Sequence, residues 1–175
     1  GYHRTPLEWK HRHQVRERLV GGRIAFRVAQ GSLAFNYLRM DWRGRLVQQL
    51  PHYGYLREAH DLSYLQHFSL DYRATSLSGQ WLSAGEMALS TRGGKAALAY
   101  VKYRDLDRGE YTLSGRYLSP SYMAPLGNAP SRFAFPGNEM GCYMAAHLSL
   151  SDQLDLLLSW DAYRSLVARK GEEKP

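Results

Sequence analysis

Hydrophobic and polar residues alternate along almost the whole chain with a period of two, the spacing of a strand that presents one face to an apolar medium and the other to water. Near the end, Met140, Cys142, Met144, Ala146, Leu148 and Leu150 alternate with Glu139, Gly141, Tyr143, Ala145, His147 and Ser149. A turn at Ser151-Asp152 follows. The pattern then resumes, with Leu154, Leu156, Leu158, Trp160 and Ala162 on one side and Gln153, Asp155, Ser159, Asp161 and Arg164 on the other. Earlier, Ile24, Phe26 and Val28 alternate with Arg23, Ala25 and Arg27, and "AQGS" turns the chain towards Leu33, Phe35 and Tyr37. The phase changes at Leu38, Met40 and Trp42, which predicts a bulge or a strand end there. Tyr64, Phe68, Leu70 and Tyr72 face away from His67, Ser69, Asp71 and Arg73; Trp81, Met87 and Leu89 face away from Gln80, Glu86 and Ser90. "TRGGK" reads as a tight turn using positive φ at Gly93-Gly94. Beyond "KAALAYVKYRD", Tyr111, Leu113, Gly115 and Tyr117 alternate with Glu110, Thr112, Ser114 and Arg116.

The pattern predicts an all-β fold, an antiparallel up-and-down meander of about eight strands. At roughly 10 to 13 residues these exceed the usual soluble strand of about 5 to 6. A single domain spans 1–175, with a basic segment at 1–15, a loop at 43–60, a Pro/Gly-rich loop at 119–138 and a polar tail at 166–175.

Strands this long and two-faced suit a transmembrane β-barrel or part of one. Hydrocarbon satisfies no backbone polar group, so strands can cross it only when they pair with one another. Such walls are apolar outside and polar within, with aromatic residues at the interfaces. The 13 tyrosines and 4 tryptophans fit this, and Trp42, Tyr103, Tyr117, Trp160 and Tyr163 stand near predicted strand ends. A soluble sandwich would alternate too, with its apolar face turned inward. Long strands, and Leu, Tyr, Ala and Gly in place of Ile and Val, favour the membrane form. The wet faces then carry a lumenal polar network of Arg23, Arg27, Asp71, Arg73, Glu86, Glu110, Arg116, Glu139, Asp155 and Asp161. Small barrels are filled by their own side chains, which makes the network a salt-bridged interior before it is a solute path.

Charge adds a class of partners. Twenty-three Lys and Arg against 16 Asp and Glu leave +7, with a pI near 9.6. That balance favours anionic surfaces such as phospholipid, lipopolysaccharide or nucleic acid. A soluble basic β-protein that binds nucleic acid or another polyanion is therefore the alternative reading.

Candidate chemistry is sparse. A lone cysteine, Cys142, excludes an intrachain disulfide and sits in an apolar row. His11 and His13 have no carboxylate at ligand spacing, so no metal or cofactor is expected. Ser119, Ser121, Ser131 and His147 form no recognisable nucleophile elbow, and "RGGK" lacks the spacing of a phosphate loop. No catalytic residue is assigned. No signal peptide opens the sequence, so the expected leader is removed or lies outside this stretch.

The stretch "GRYLSPSYMAPLGNAPSRFAFPGNEMGCYMAAHLSLSDQLDLLLSWDAY" carries a more particular pattern: Tyr117, Ser119, Pro120 and Tyr122; Gly127 and Asn128; Asn138, Glu139, Gly141 and Tyr143; and Asp161, Ala162 and Tyr163. It resembles the barrel region of bacterial outer-membrane proteins, best known in Bacteroidetes, that often bear a helix-hairpin-helix segment ahead of the barrel. "GGRIAFR", "HFSLDYRA" and "LSAGEMALSTRGGKAALAYV", with Glu86, look like preceding strands of that family. The resemblance spans about residues 15 to 165 and is specific only from Tyr117 to Tyr143. The helix-hairpin-helix segment is missing, and the chain ends before such a barrel would close. What the resemblance implies is a bacterial outer-membrane location, a barrel fold, lipid or lipopolysaccharide around it and a polar solute at most within; it implies no chemistry.

Overall fold

The computed structural model describes residues 16–43, 63–105, 108–124, 131 and 137–167. It contains eight strands: β1 (Arg16–Val28), β2 (Gly31–Arg43), β3 (Tyr64–Thr75), β4 (Trp81–Ser90), β5 (Gly94–Asp105), β6 (Gly109–Leu118), β7 (Glu139–Ser151) and β8 (Leu154–Ser165). They form one antiparallel sheet in the order β1 to β8, each strand bonded to its neighbours in sequence. A 3-10 turn at Thr91–Gly93 is the only helical element among the described residues. The fold is the all-β meander expected from the alternation. The sheet is not closed, since β1 and β8 are its two edges.

Register explains how the alternating pattern becomes two surfaces. Starting at Ile24, directly opposed residues run Phe35, Leu70, Met87, Ala97, Tyr117, Met140 and Arg164. The next row on the same face runs Phe26, Leu33, Tyr72, Gly85, Ala99, Gly115, Cys142 and Ala162. The one beyond it runs Val28, Gly31, Ala74, Ser83, Val101, Leu113, Met144 and Trp160. Arg164 is the single charge in these three rows, and it lies at the sheet edge. The Arg164 guanidinium, expected on the wet side of β8, instead ends the apolar row and approaches the Met140 sulfur at 3.6 Å. The first row also drifts along the strands. Ile24 stands eight residues in from Arg16, whereas Arg164 is one residue from Ser165. A stagger of this kind accompanies strand tilt in a barrel wall.

The apolar face is exposed. Ile24, Phe68 and Met87 keep 66%, 55% and 62% of their surface. The buried residues Met40, Leu65, Ala88 and Leu118 belong to the opposite face, near the end of the sheet where β2 and β6 finish, and Ala34 is buried on that face nearer the start of β2. This corrects the expected break at Leu38. β2 pairs with both neighbours over its length without a register shift. The phase changes because the polar face becomes a dry core there, holding Met40 and Leu65, while Arg39 and Asp41 turn outward and pair with each other at 2.7 Å. Among the described residues the one bulge lies between Ser149 and Ser151, just before the β7–β8 turn.

The connections are unequal at the two ends. Turns of two, five, three and two residues follow β1, β3, β5 and β7. At the other end, twenty residues separate β2 from β3 and another twenty separate β6 from β7, with only the 3-10 turn short. In that turn Gly93 takes a positive φ of 74°, but Gly94, expected to do the same, is extended at −61°. A side chain at Gly94 would meet the Ser121 carbonyl oxygen at 2.5 Å and the Tyr122 Cα at 2.7 Å, so this glycine admits a loop.

Candidate functional site

Of the motif residues of the β6–β7 region, Ser119, Asn138, Glu139 and Gly141 come together on the polar face around Arg116. Arg116 on β6 and Glu139 at the start of β7 have side chains 7% and 0% exposed. The Arg116 Nε donates to Glu139, while Nη1 and Nη2 donate to the two Asp161 oxygens at 2.7 and 3.1 Å. The Ser131 hydroxyl donates to the other Glu139 oxygen at 3.1 Å. Gly141 makes room for the guanidinium, because a Cβ there would lie 2.6 Å from Arg116 Cζ. Gly141→Ala is expected to push the fork off its carboxylates and lower stability by about 1–3 kcal/mol, the usual effect of overpacking. Gly115→Ala, next to which no atom lies within 4 Å, is the neutral control in the same urea titration.

Two further motif residues tie the loop down by backbone bonds. Asn138 is fully buried at φ 56°. Its side-chain NH2 donates to the Val167 carbonyl at 2.9 Å, and its Oδ1 accepts from the Val167 amide at 2.7 Å. Ser119 donates its amide to the Lys95 carbonyl and accepts the Lys95 amide on its hydroxyl, both at 2.8 Å. The Ser119 carbonyl then accepts from Tyr122 at 3.0 Å and from Asn138 at 3.2 Å. Glu139, which belongs both to the motif and to the expected polar network, acts through its ion pair with Arg116. Gly127 and Asn128 lie outside the described residues, as do His11 and His13.

All ten residues of the expected network share the polar face, but they do not form one network. Arg23 pairs with Asp71 and donates to Asn36 at 2.8 Å; Asn36 in turn donates to Ser69 at 3.0 Å and to Asp71 at 2.7 Å. Glu110 accepts from Lys102 at 2.6 Å and from Arg104 at 3.1 Å, and sequence reasoning named neither base. Their parity, opposite to outward Tyr103, was the available signal. Asp155 takes the Ser149 hydroxyl at 2.8 Å and stands 3.7 Å from His147. Arg27, Arg73 and Glu86 have no ion pair among the described residues. The half-exposed pairs are screened by water and contribute little; the Arg116–Glu139 pair, out of water, is of a different order.

The loop after β6 folds over this face. The Tyr122 ring meets His67 edge-on, centroids 5.8 Å apart and planes at 86°. Between loop and sheet lies a cavity of about 360 Å³, walled by Met40, Leu65, His67, Glu86 and Tyr122 with the Arg23–Asp71 pair at its side. Burial, and secondarily the charge of Glu86, push the Tyr122 phenol above its ordinary value of 10.0, so it stays a neutral donor at physiological pH. Ser119 and His147 lie at opposite ends of the sheet, so the structure does not assemble the serines and His147 into one site.

On the apolar face, Trp81, Tyr103 and Tyr111 form one row at the short-turn end, with successive centroids 4.6 and 6.3 Å apart. Tyr37 and Phe68 pack at 5.0 Å nearer the other end, where Arg39 also lies over Tyr64 at 5.0 Å. Of the aromatic residues expected in a girdle, Tyr103, Tyr117 and Trp160 belong to this face; Trp42 and Tyr163 belong by register to the polar one. No family model, curated protein or solved structure matches the chain.

Proposed function

We propose that the chain is a wall of a bacterial outer-membrane β-barrel, with a transport, anchoring or envelope-scaffold role and no chemistry of its own. The observation that carries this reading is the inside-out distribution of the two faces. Three adjacent rows of eight residues hold one charge and form the exposed side of the sheet, whereas the buried residues and every ion pair among the described residues except the outward Arg39–Asp41 pair are on the other side. In water such an apolar surface would be costly; against lipid it is the favourable arrangement.

Two features agree with it. From Trp81 to Leu89, which shares a row with Tyr37 and Phe68, β4 runs about 26 Å at the usual ~3.3 Å per residue, which at the usual tilt of about 40° covers roughly 20 Å of the ~25 Å apolar band between aromatic girdles. Short turns at one end and long loops at the other match the periplasmic and extracellular ends of such barrels. On this reading the unpaired edges of β1 and β8 meet further strands in the membrane, because hydrocarbon leaves no other partner for their backbone groups.

The test is the chain's behaviour in detergent. It is expected to stay monodisperse only in micelles, and to migrate faster on a gel before boiling than after. A monodisperse, folded chain without detergent would overturn the proposal, and steeply salt-dependent DNA binding by that soluble form would replace it with the polyanion reading.

A further inference from the structure

The cavity beneath Tyr122 has a composition that selects a ligand. One guanidinium, Arg23, faces two carboxylates, Asp71 and Glu86. Arg23 is already committed to Asp71 through both terminal nitrogens, and Asn36 supplies Asp71 with a further donor. Glu86 is thus left as the carboxylate without a direct ion pair among the described residues, with Arg23 acting on it only at longer range. His67 and Tyr122 meet with the edge of one ring against the other, and no hydrogen bond involves the Tyr122 hydroxyl among the described residues. Below them Met40 and Leu65, 3% and 1% exposed, make an apolar floor.

From these observations we propose that the cavity binds a small organic cation, an alkylammonium whose head is taken by Glu86 and the Tyr122 ring and whose hydrocarbon chain lies on Met40 and Leu65. A carboxylate beside an aromatic ring is the pairing that recognises an ammonium group, by ion pairing and by attraction to the ring's negative face. An anion of the same shape would meet a cavity in which two carboxylates, Asp71 and Glu86, outnumber the one guanidinium. The volume takes a chain of several carbons, and the apolar floor rewards its burial. The site refines the barrel reading, on which it rests for the solute's route through a polar lumen.

The experiment uses the detergent-folded chain with n-butylammonium, butyrate and n-butanol as probes, followed by calorimetry and by the NMR signals of His67 and Tyr122. Butylammonium is expected to bind saturably and to shift both signals. Glu86→Gln is expected to weaken it about tenfold, the size of losing one charge-assisted contact. Asp155→Asn, a carboxylate removed outside the cavity, is expected to leave it unchanged. Equal affinity in Glu86→Gln, tighter binding of butyrate than of butylammonium, or no saturation by about 100 mM, a concentration that already corresponds to only ~1.4 kcal/mol of binding, would overturn the proposal. The boiling-dependent gel shift, run on the same samples, separates the two claims. A retained shift without binding sinks the cation site alone, and binding without a shift sinks the membrane wall while leaving the site.

Discussion

Replacing Arg116 by alanine is expected to remove about 3–5 kcal/mol of stability, the usual penalty for breaking a buried ion pair from one side. The size follows from what is left behind. Glu139 has no exposure at all, and its Oε1 would lose the Arg116 donor. Asp161, 35% exposed, would lose two further bonds but could recover part of the loss from water. Urea unfolding followed by tryptophan fluorescence measures the effect. Arg116→Lys is expected to fall between wild type and alanine, since an ammonium keeps the charge but cannot fork between two carboxylates. Pairing Arg116→Ala with Glu139→Gln is expected to cost less than the sum of the two, because the second change removes the stranded charge. Strict additivity in that cycle would mean that the contact does not stabilise the fold.

Asn138→Ala is expected to be the second largest loss, about 2–4 kcal/mol, combining two effects of different origin. One is the bonding of the Val167 amide and carbonyl, each leaving a backbone group without its partner at about 1–3 kcal/mol if water cannot reach it. The other is the φ of 56°, which asparagine tolerates far better than alanine. Asn138→Gly separates them, for glycine adopts this φ freely yet forms neither side-chain bond. If both variants unfold at the wild-type urea concentration, the clamp is incidental. If glycine alone restores stability, conformation and not bonding explains the residue.

The strands and their faces were legible because alternation is a local property that survives in the sequence whatever the partner strands are. Arg23, Asp71, Glu110 and Asp161 could all be assigned to the wet side in this way. Which base meets which acid was not legible, since it depends on register. Lys102 and Arg104 reach Glu110 only because β5 and β6 align Lys102 with Thr112 and Arg104 with Glu110. Leu38, Met40 and Trp42 were misread for a longer-range reason. The face they occupy is dry because a loop some eighty residues later in the chain lies on that end of the sheet, and periodicity carries no trace of it. Proximity to a strand end likewise did not tell which side Trp42 or Tyr163 would take. The motif from Tyr117 to Tyr143 was recognisable as a pattern before it had a physical meaning. Glu139, Gly141, Ser119 and Asn138 within it prove to be a partner for the Arg116 fork, a clearance for that fork, and two backbone ties.

Every strand in this sheet bonds only to the strands before and after it in sequence. A duplicated or deleted hairpin at either edge would therefore disturb no pairing elsewhere, provided it came as a pair of strands and kept the up-and-down order. The natural unit of evolutionary change for such a chain is the hairpin, and the width of the sheet can grow or shrink in steps of two strands. The interlocked segment from Arg116 to Val167 is the exception. It binds β6, β7 and β8 through their side chains, so an insertion within it would have to rebuild the fork and the asparagine tie together.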